Sequence, residues 1–322
     1  MRLSSVHSHS LSDIIKTVKR GNTIDSVTAT ADTIKKNAVL EMSSNNVREA
    51  TSDQTDVVGV AVQAVDSGGE CVLDFGEVEV LAGSPFSVLD LLTTRTGGYV
   101  GKTISSQVTM VDTEAGGDFA NQPAGDSVEV VSDDAGDTTQ TATIYGTITG
   151  RTDEITSETV SLNGTTVVTT EIDSWQTIVG VELSASCDGT VTFHKASTDQ
   201  TITTITTTNT SKGIIKSTNT NAYGDIPRVV ASNTSTKKIG IMGTGLDGSA
   251  ISDVTALTNN TEKDVGTTEY ATITKFFIGD VESNRDASLL TAEADTNSIG
   301  RAMEAATDGG QIIKAYIPMS LS

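Results

Sequence analysis

Trp175-Gln176-Thr177-Ile178-Val179-Gly180-Val181-Glu182-Leu183 is answered 95 residues later by Tyr270-Ala271-Thr272-Ile273-Thr274-Lys275-Phe276-Phe277-Ile278. Trp175 meets Tyr270, Thr177 meets Thr272, and Ile178 meets Ile273, while Val181 and Leu183 fall on Phe276 and Ile278. Upstream, Ile144-Tyr145-Gly146-Thr147 answers to Ile241-Met242-Gly243-Thr244, and Leu162 to Leu257. Aromatic on aromatic and apolar on apolar through a strand-like pattern marks an internal repeat. The spacing predicts two β-sandwich modules, 138–212 and 213–283. Trp175 and Tyr270 are the expected core aromatics, with Ile178 and Ile273 packed beside them.

Composition agrees with thin sheets. Hydrophobic residues make up 36% of the 322 residues, and the balance is taken by 52 Thr and 29 Gly, with Pro held to 4. Thr is β-branched and suits a half-solvated pleated surface. No run approaches the ~20 apolar residues of a membrane helix, and the start lacks the continuous apolar core of a secretory signal. Asp and Glu number 42 against 21 Lys and Arg, a net charge of −21, which argues against nucleic acid as a partner. Residues 1–20 are the exception, with Arg2, Lys16, Lys19 and Arg20 against Asp13 alone. Ile14, Ile15 and Val18 give this basic arm an apolar stripe at helical spacing, so it is expected to dock on an acidic neighbour.

Between 21 and 111, short apolar alternations cut by turns predict a small β-barrel. Thr23-Ile24-Asp25-Ser26-Val27, Ala38-Val39-Leu40-Glu41-Met42, Val57-Val58-Gly59-Val60-Ala61-Val62 and Cys71-Val72-Leu73-Asp74-Phe75 are among its strands. Ser84-Pro85 with Phe86, Leu89 and Leu92 predicts one short helix near 85–94, stopped by Gly97-Gly98. Residues 112–137 gather carboxylates and glycines and are expected to form an acidic linker. Ca2+ is the cofactor such a loop could take, but no D-x-D-x-D-G pattern is present and a solvated loop is the preferred reading. A second repeat joins the ends of the chain. Val58–Val72 aligns without gaps to Ile299–Ile313 at an offset of 241, with Gly59, Ala61, Ala64, Gly68 and Gly69 identical to their partners. Ile299-Gly300-Arg301-Ala302-Met303-Glu304-Ala305-Ala306 could be helical by propensity. The alignment favours strand, turn, strand instead, so 284–322 is expected to return to the barrel or to repeat it.

Chemistry is poorly supplied. Of three histidines, His7 and His9 lie in the arm, and His194 alternates onto the polar side of Val191-Thr192-Phe193-His194-Lys195. Triad, zincin, P-loop and C-x-x-C patterns are all missing. Cys71 and Cys187 fall in or beside strands and read as small hydrophobes. The N-x-[ST] sequons at Asn163, Asn209, Asn233 and Asn259 match what a Thr-rich chain produces by chance. An enzyme is not expected, and no catalytic, cofactor or metal residue is assigned.

The turn-and-strand pattern of 22–80, with its Val-Val-Gly-Val-Ala-Val strand and Asp-Ser-Gly-Gly turn, resembles the head-decoration (cement) or turret proteins of tailed viruses of bacteria or archaea. Ile-Gly-Arg-Ala-Met-Glu-Ala-Ala-Thr-Asp-Gly-Gly near the end looks like the same signature. The stretches around Thr141–Thr147 and Leu162–Thr166 are similar to Ig-like modules of viral structural proteins. The resemblance implies an all-β protein on the outer surface of a capsid, made in the host cytoplasm. There it would clamp major capsid protein subunits as a homo-oligomer, a trimer above all, with no membrane or nucleic-acid partner. Arg2, Ile14, Ile15, Lys16, Val18, Lys19 and Arg20 are then the shell-contact candidates. Alternative readings are a tail-tube or other tail protein, a receptor- or glycan-binding adhesin, and, last, a glycan-acting enzyme with paired carboxylates.

Overall fold

The strand pattern folds into six antiparallel sheets, seen in a computed structural model that describes residues 23–28, 33–43, 46–51, 57–67, 70–74, 76–87, 90–95, 99–102, 108–216, 221–231, 235–258, 261–283, 286–292, 295, 300–307 and 309–317. The protein is all-β, with no helix among the described residues. In chain order, β1 (Thr23–Thr28), β2 (Val39–Ser43), β3 (Asn46–Glu49), β4 (Val57–Ala61), β5 (Glu70–Asp74), β6 (Gly76–Leu81), β7 (Leu91–Arg95) and β8 (Tyr99–Lys102) come first. After β9 (Val108–Ala115) follow β10 (Val128–Ser132), β11 (Thr141–Ile148), β12 (Arg151–Ser161), β13 (Val168–Thr169), β14 (Trp175–Leu183), β15 (Val191–Lys195), β16 (Gln200–Ile205) and β17 (Ser211–Lys212). The remainder are β18 (Ile214–Lys216), β19 (Asn221–Asp225), β20 (Arg228–Ala231), β21 (Lys238–Gly245), β22 (Ala250–Ala256), β23 (Lys263–Asp264), β24 (Tyr270–Phe277), β25 (Asp286–Ala292), β26 (Gly300–Ala302) and β27 (Ile312–Ile317).

The two ends of the chain build one base from two halves of the same plan. Half A has the order β1-β5-β4-β2-β3 and half B the order β6-β27-β26-β7-β8. The register of β2 on β4 matches that of β7 on β26, while β27 is displaced by one residue relative to β5. Val39 pairs with Val60 in half A and Leu91 with Arg301 in half B; isolated bridges join Ile34 to Val65 and Phe86 to Ala306. Thus Val60 and Arg301, and Val65 and Ala306, stand in the positions related by the offset of 241. Half A encloses Ile34, Leu40, Val47, Ala61, Cys71 and Leu73 on one face of its sheet. Its other face, Val39, Val57 and Val60, shares a core with Val80, Leu92, Ala302, Ile313 and Ala315 of half B.

The segment expected to be helical, 85–94, instead runs into β7, which pairs with β8 and β26. Ser84-Pro85 does not cap a helix. Phe86 is held to Ala306 by two backbone hydrogen bonds, 3.0 Å each way, and Leu92 is fully buried at the place Leu40 takes in half A. Tertiary pairing overrides the local helical signal; residues 88 and 89 lie outside the described set.

Everything between β8 and β26 is inserted into half B, where half A has only residues 50–56. The insertion is itself nested. Module 1 packs β13-β10-β15-β16 against β12-β11-β14-β17; module 2 packs β23-β20-β25-β9 against β18-β24-β21-β22. Position by position, β10–β15 correspond to β20–β25. The places of β16 and β17 are filled in module 2 by β9 and β18, which precede its other strands. Module 2 is therefore a circular permutant of module 1, with module 1 inserted between β9 and β18. The stretch 112–137 is accordingly not a linker throughout, since it holds the end of β9 and all of β10, and 284–292 carries β25 of module 2.

One glycine shows why the repeat could be read. Both modules break register just before Gly146 and just before Gly243. A Cβ on Gly146 would lie 2.3 Å from the Thr177 carbonyl oxygen, and one on Gly243 would lie 1.9 Å from that of Thr272. Neither bulge tolerates a side chain, which preserves glycine at both sites.

Candidate functional site

Strand alternation buries consecutive residues on opposite faces, and this couples the modules. Ile144 and Ile178 point into the module 1 core, while Tyr145 and Val179 point outward onto Phe277, Ile214 and Met242 of module 2. The Tyr145 and Phe277 ring centroids are 5.1 Å apart, and Lys275 Nζ sits 4.3 Å above the Tyr145 ring. Lys275 also donates to Tyr145 Oη at 2.5 Å and to Glu182 at 2.7 Å, and Lys216 donates to the same Glu182 carboxylate. Burial pushes the Glu182 carboxyl up, but the two lysines outweigh it and hold it below the usual range. The four module sheets form one stack.

Module 2 is locked to the base by Arg95, at the end of β7. Its side chain is 1% exposed. Nη1 and Nη2 donate to the two oxygens of Asp295 at 2.6 and 3.1 Å, and Nε donates to the Tyr223 carbonyl at 2.8 Å. Asp225 lies 3.7 Å away. Burial works against the guanidinium charge, but the Asp295 bond, with Asp225 and Glu269 nearby, more than restores it. A planar fork matched to a carboxylate is the geometry arginine supplies and lysine does not. The clamp gathers the outgoing chain (Arg95), a module 2 strand (Tyr223, Asp225) and the returning chain (Asp295). Nothing in the sequence distinguishes Arg95 from a surface charge, because its partners lie 128 and 200 residues away.

Beside the clamp, a cleft of about 500 Å3 opens between the base (Lys35, Tyr99) and module 2 (Asp247, Ser249, Thr267, Glu269). Its charged groups are already engaged: Lys35 bonds Glu49 at 2.7 Å, and Asp247 caps Ser249.

The sequence candidates separate into two sets. Arg2, Ile14, Ile15, Lys16, Val18, Lys19 and Arg20 lie outside the described residues. Trp175 and Ile178 sit together in the module 1 core, and Tyr270 and Ile273 in the module 2 core, all at 0–1% exposure. The two aromatics differ in polar partner. Tyr270 Oη donates to Asp253 at 2.8 Å, whereas the Trp175 indole N–H has no acceptor among the described residues. Burial raises the Tyr270 hydroxyl pKa, with the adjacent Asp253 adding to it.

His194 contacts Asp199 at 2.9 Å. Cys71 and Cys187 are free and buried, and burial pushes the Cys187 thiol up to about 11, far from a thiolate nucleophile. In the acidic stretch 112–137, where Ca2+ is the less favoured reading, Asp133 and Asp137 accept from neighbouring groups. Asp137 accepts from Ser132 at 2.6 Å and from the Asp188 and Gly189 amides at 2.9 and 3.0 Å; Asp133 accepts from Thr190 at 2.6 Å. Among the described residues no group of three or more His, Cys, Asp or Glu side chains is placed to hold a metal ion. What the arrangement supplies is a rigid joint and a covered core. Neither the family models nor the curated proteins compared with this sequence give a match.

Proposed function

We propose that the chain is a virion structural protein that binds the outside of a tailed-virus capsid and clamps its subunits. The base is read as a pair of small barrels set on the shell, and the two modules as Ig-like sandwiches projecting from it. The observation that carries this reading is the single point of insertion. The chain leaves the base at Lys102, returns at Gly300, and the whole module stack stands between. That plan suits a seated body with an outward ornament.

Charge supports the same polarity. Residues 116–213, the innermost insertion, hold fourteen carboxylates against three cations, which favours solubility and mutual repulsion of particles at an outer surface. The basic arm, with Arg2, Lys16, Lys19 and Arg20 around Ile14, Ile15 and Val18, is read as a shell contact, and the working unit as a homotrimer. No catalysis is invoked, since clamping works through buried interface area. Co-sedimentation of the full chain with purified shells tests the reading: saturable pelleting, weakened by removal of residues 1–20, is expected. Failure of the full chain to pellet at any concentration would overturn it.

A further inference from the structure

Among the described residues three tyrosines are buried, Tyr145 at 8%, Tyr270 at 0% and Tyr99 at 9% exposure. A buried phenol usually finds a hydrogen-bond partner. Two of the three do: Tyr145 Oη receives Lys275 at 2.5 Å, and Tyr270 Oη donates to Asp253 at 2.8 Å. Tyr99, on β8 of the base, is the exception, since its hydroxyl makes no hydrogen bond among the described residues. It is not sealed in as the Trp175 N–H is, because Tyr99 lines the cleft of about 500 Å3 between the base and module 2. Burial raises the Tyr99 pKa; Lys35 opposes the rise, Asp247 and Glu49 add to it, and the hydroxyl stays a protonated donor at neutral pH.

The rest of the lining sets the class of ligand that fits. Lys35 enters from the base, and Asp247 and Glu269 from module 2, so an anion and a cation each meet a like charge. These groups also have protein partners already. Lys35 bonds Glu49 at 2.7 Å, Asp247 accepts from Ser249 at 2.6 Å, and Glu269 stands in the field of Arg95. A charged ligand would have to compete with those pairs, whereas a neutral one would not. Uncharged polar lining comes from Tyr99, Ser249, Thr267 and Thr268, whose hydroxyls both donate and accept. Beside them Ile226, Leu246 and Ile251 supply half-buried apolar surface. Small-molecule sites run to about 300–1,000 Å3, with a few orienting polar groups on apolar walls, and this cleft has that size and mixture.

We propose that the cleft binds a neutral polyhydroxyl ligand, a mono- or disaccharide, oriented by a hydrogen bond to Tyr99 Oη. A sugar presents hydroxyls that donate and accept together with a C–H face; the hydroxyl side chains match the first and the aliphatic ones the second. The Tyr99 hydroxyl is held in place by its buried ring, so little ordering cost attends the bond it makes. The site rests on the cleft and not on shell binding.

Saturation-transfer NMR of the full chain with glucose, galactose, mannose, N-acetylglucosamine and maltose, each titrated to about 20 mM, tests the proposal. Saturable binding of at least one sugar is expected. Tyr99→Phe keeps the ring and should weaken that binding about three- to tenfold, the worth of one hydrogen bond. Thr268→Trp puts a bulky side chain at an exposed position of the lining and should abolish binding with the unfolding midpoint unchanged. The control Val167→Asp, exposed on module 1, should bind as the parent does. Glucosamine and glucuronate, which add a charge of either sign, should each bind more weakly than the best neutral sugar. No saturable binding across the panel, binding at full strength in Tyr99→Phe, or tighter binding of a charged analogue overturns the proposal. A chain that binds the sugar and fails to pellet with shells would overturn the decoration reading alone.

Discussion

Val39 and Leu91 hold the same position in two copies of one five-stranded plan, yet the first is sealed and the second is 41% exposed. The halves also differ at one connection. Residues 50–56 join β3 to β4 in half A, while 103–299 join β8 to β26 in half B. A sheet plan that closes over a seven-residue loop thus also closes over a chain of nearly two hundred residues. Loop-closure entropy grows only with the logarithm of length, so the insertion costs roughly 3 kcal/mol beyond the short loop. That cost is offset where the inserted chain packs on its host. Arg95 is the clearest instance, because its half A counterpart, two residues past Glu41 on β2, is Ser43.

Restoring the half A residue should break the comparison most severely. Arg95→Ser leaves Asp295, 4% exposed, without its guanidinium. A loss of about 3–5 kcal/mol is expected for a buried pair with one partner removed, read by denaturant unfolding. Next come the module cores. Trp175→Ala should cost about 3–5 kcal/mol, at the large end of core truncations. Tyr270→Phe should cost less, about 1–3 kcal/mol, since packing is kept and only the bond to Asp253 is lost.

A smaller effect separates the modules by pH. Burial raises the Asp253 carboxyl against the Tyr270 bond, with Asp153 adding to the rise, and burial likewise raises Asp280. A carboxyl raised on folding contributes stability that is complete below its unfolded pKa and lost as pH rises through the folded one. In module 1, the bonds from Ser132, Asp188 and Gly189 overcome burial and lower Asp137, so its contribution is present above the unfolded value and lost on acidification. The advantage of Asp253→Asn over the parent should therefore grow as pH rises from about 4, the ordinary Asp range. The deficit of Asp137→Asn should shrink as pH falls below it. Urea unfolding across that range checks both signs. Smallest is Lys275→Met at the module joint, expected within about 1 kcal/mol because the lysine is partly solvated.

The sequence revealed these comparisons unevenly. The repeat at an offset of 95 could be read because Trp175 and Tyr270, Ile178 and Ile273, and Leu162 and Leu257 fill matching core positions, and because each bulge nearby needs a glycine, Gly146 or Gly243. The repeat at 241 could be read from shared glycines and alanines alone. The match of β2 to β7 could not be read. Val39 and Leu91 share only apolar character, and Pro85 with its following leucines imitates a helix start. β10 was hidden because Val128-Glu129-Val130-Val131 alternates within a run of aspartates. The permutation of module 2 leaves no local trace, since strand patterns do not record which neighbour a strand will pair with. Arg95 was invisible for the same reason.

The account stands on half B being a complete half interrupted at one connection. The most direct test replaces residues 103–299 with residues 50–56 and makes Arg95→Ser in the same chain, giving half B the connection and the residue of half A. A dispersed amide spectrum with one cooperative unfolding transition is predicted. A collapsed spectrum without dispersion would contradict the account, and would mean that the modules are part of the base's own fold.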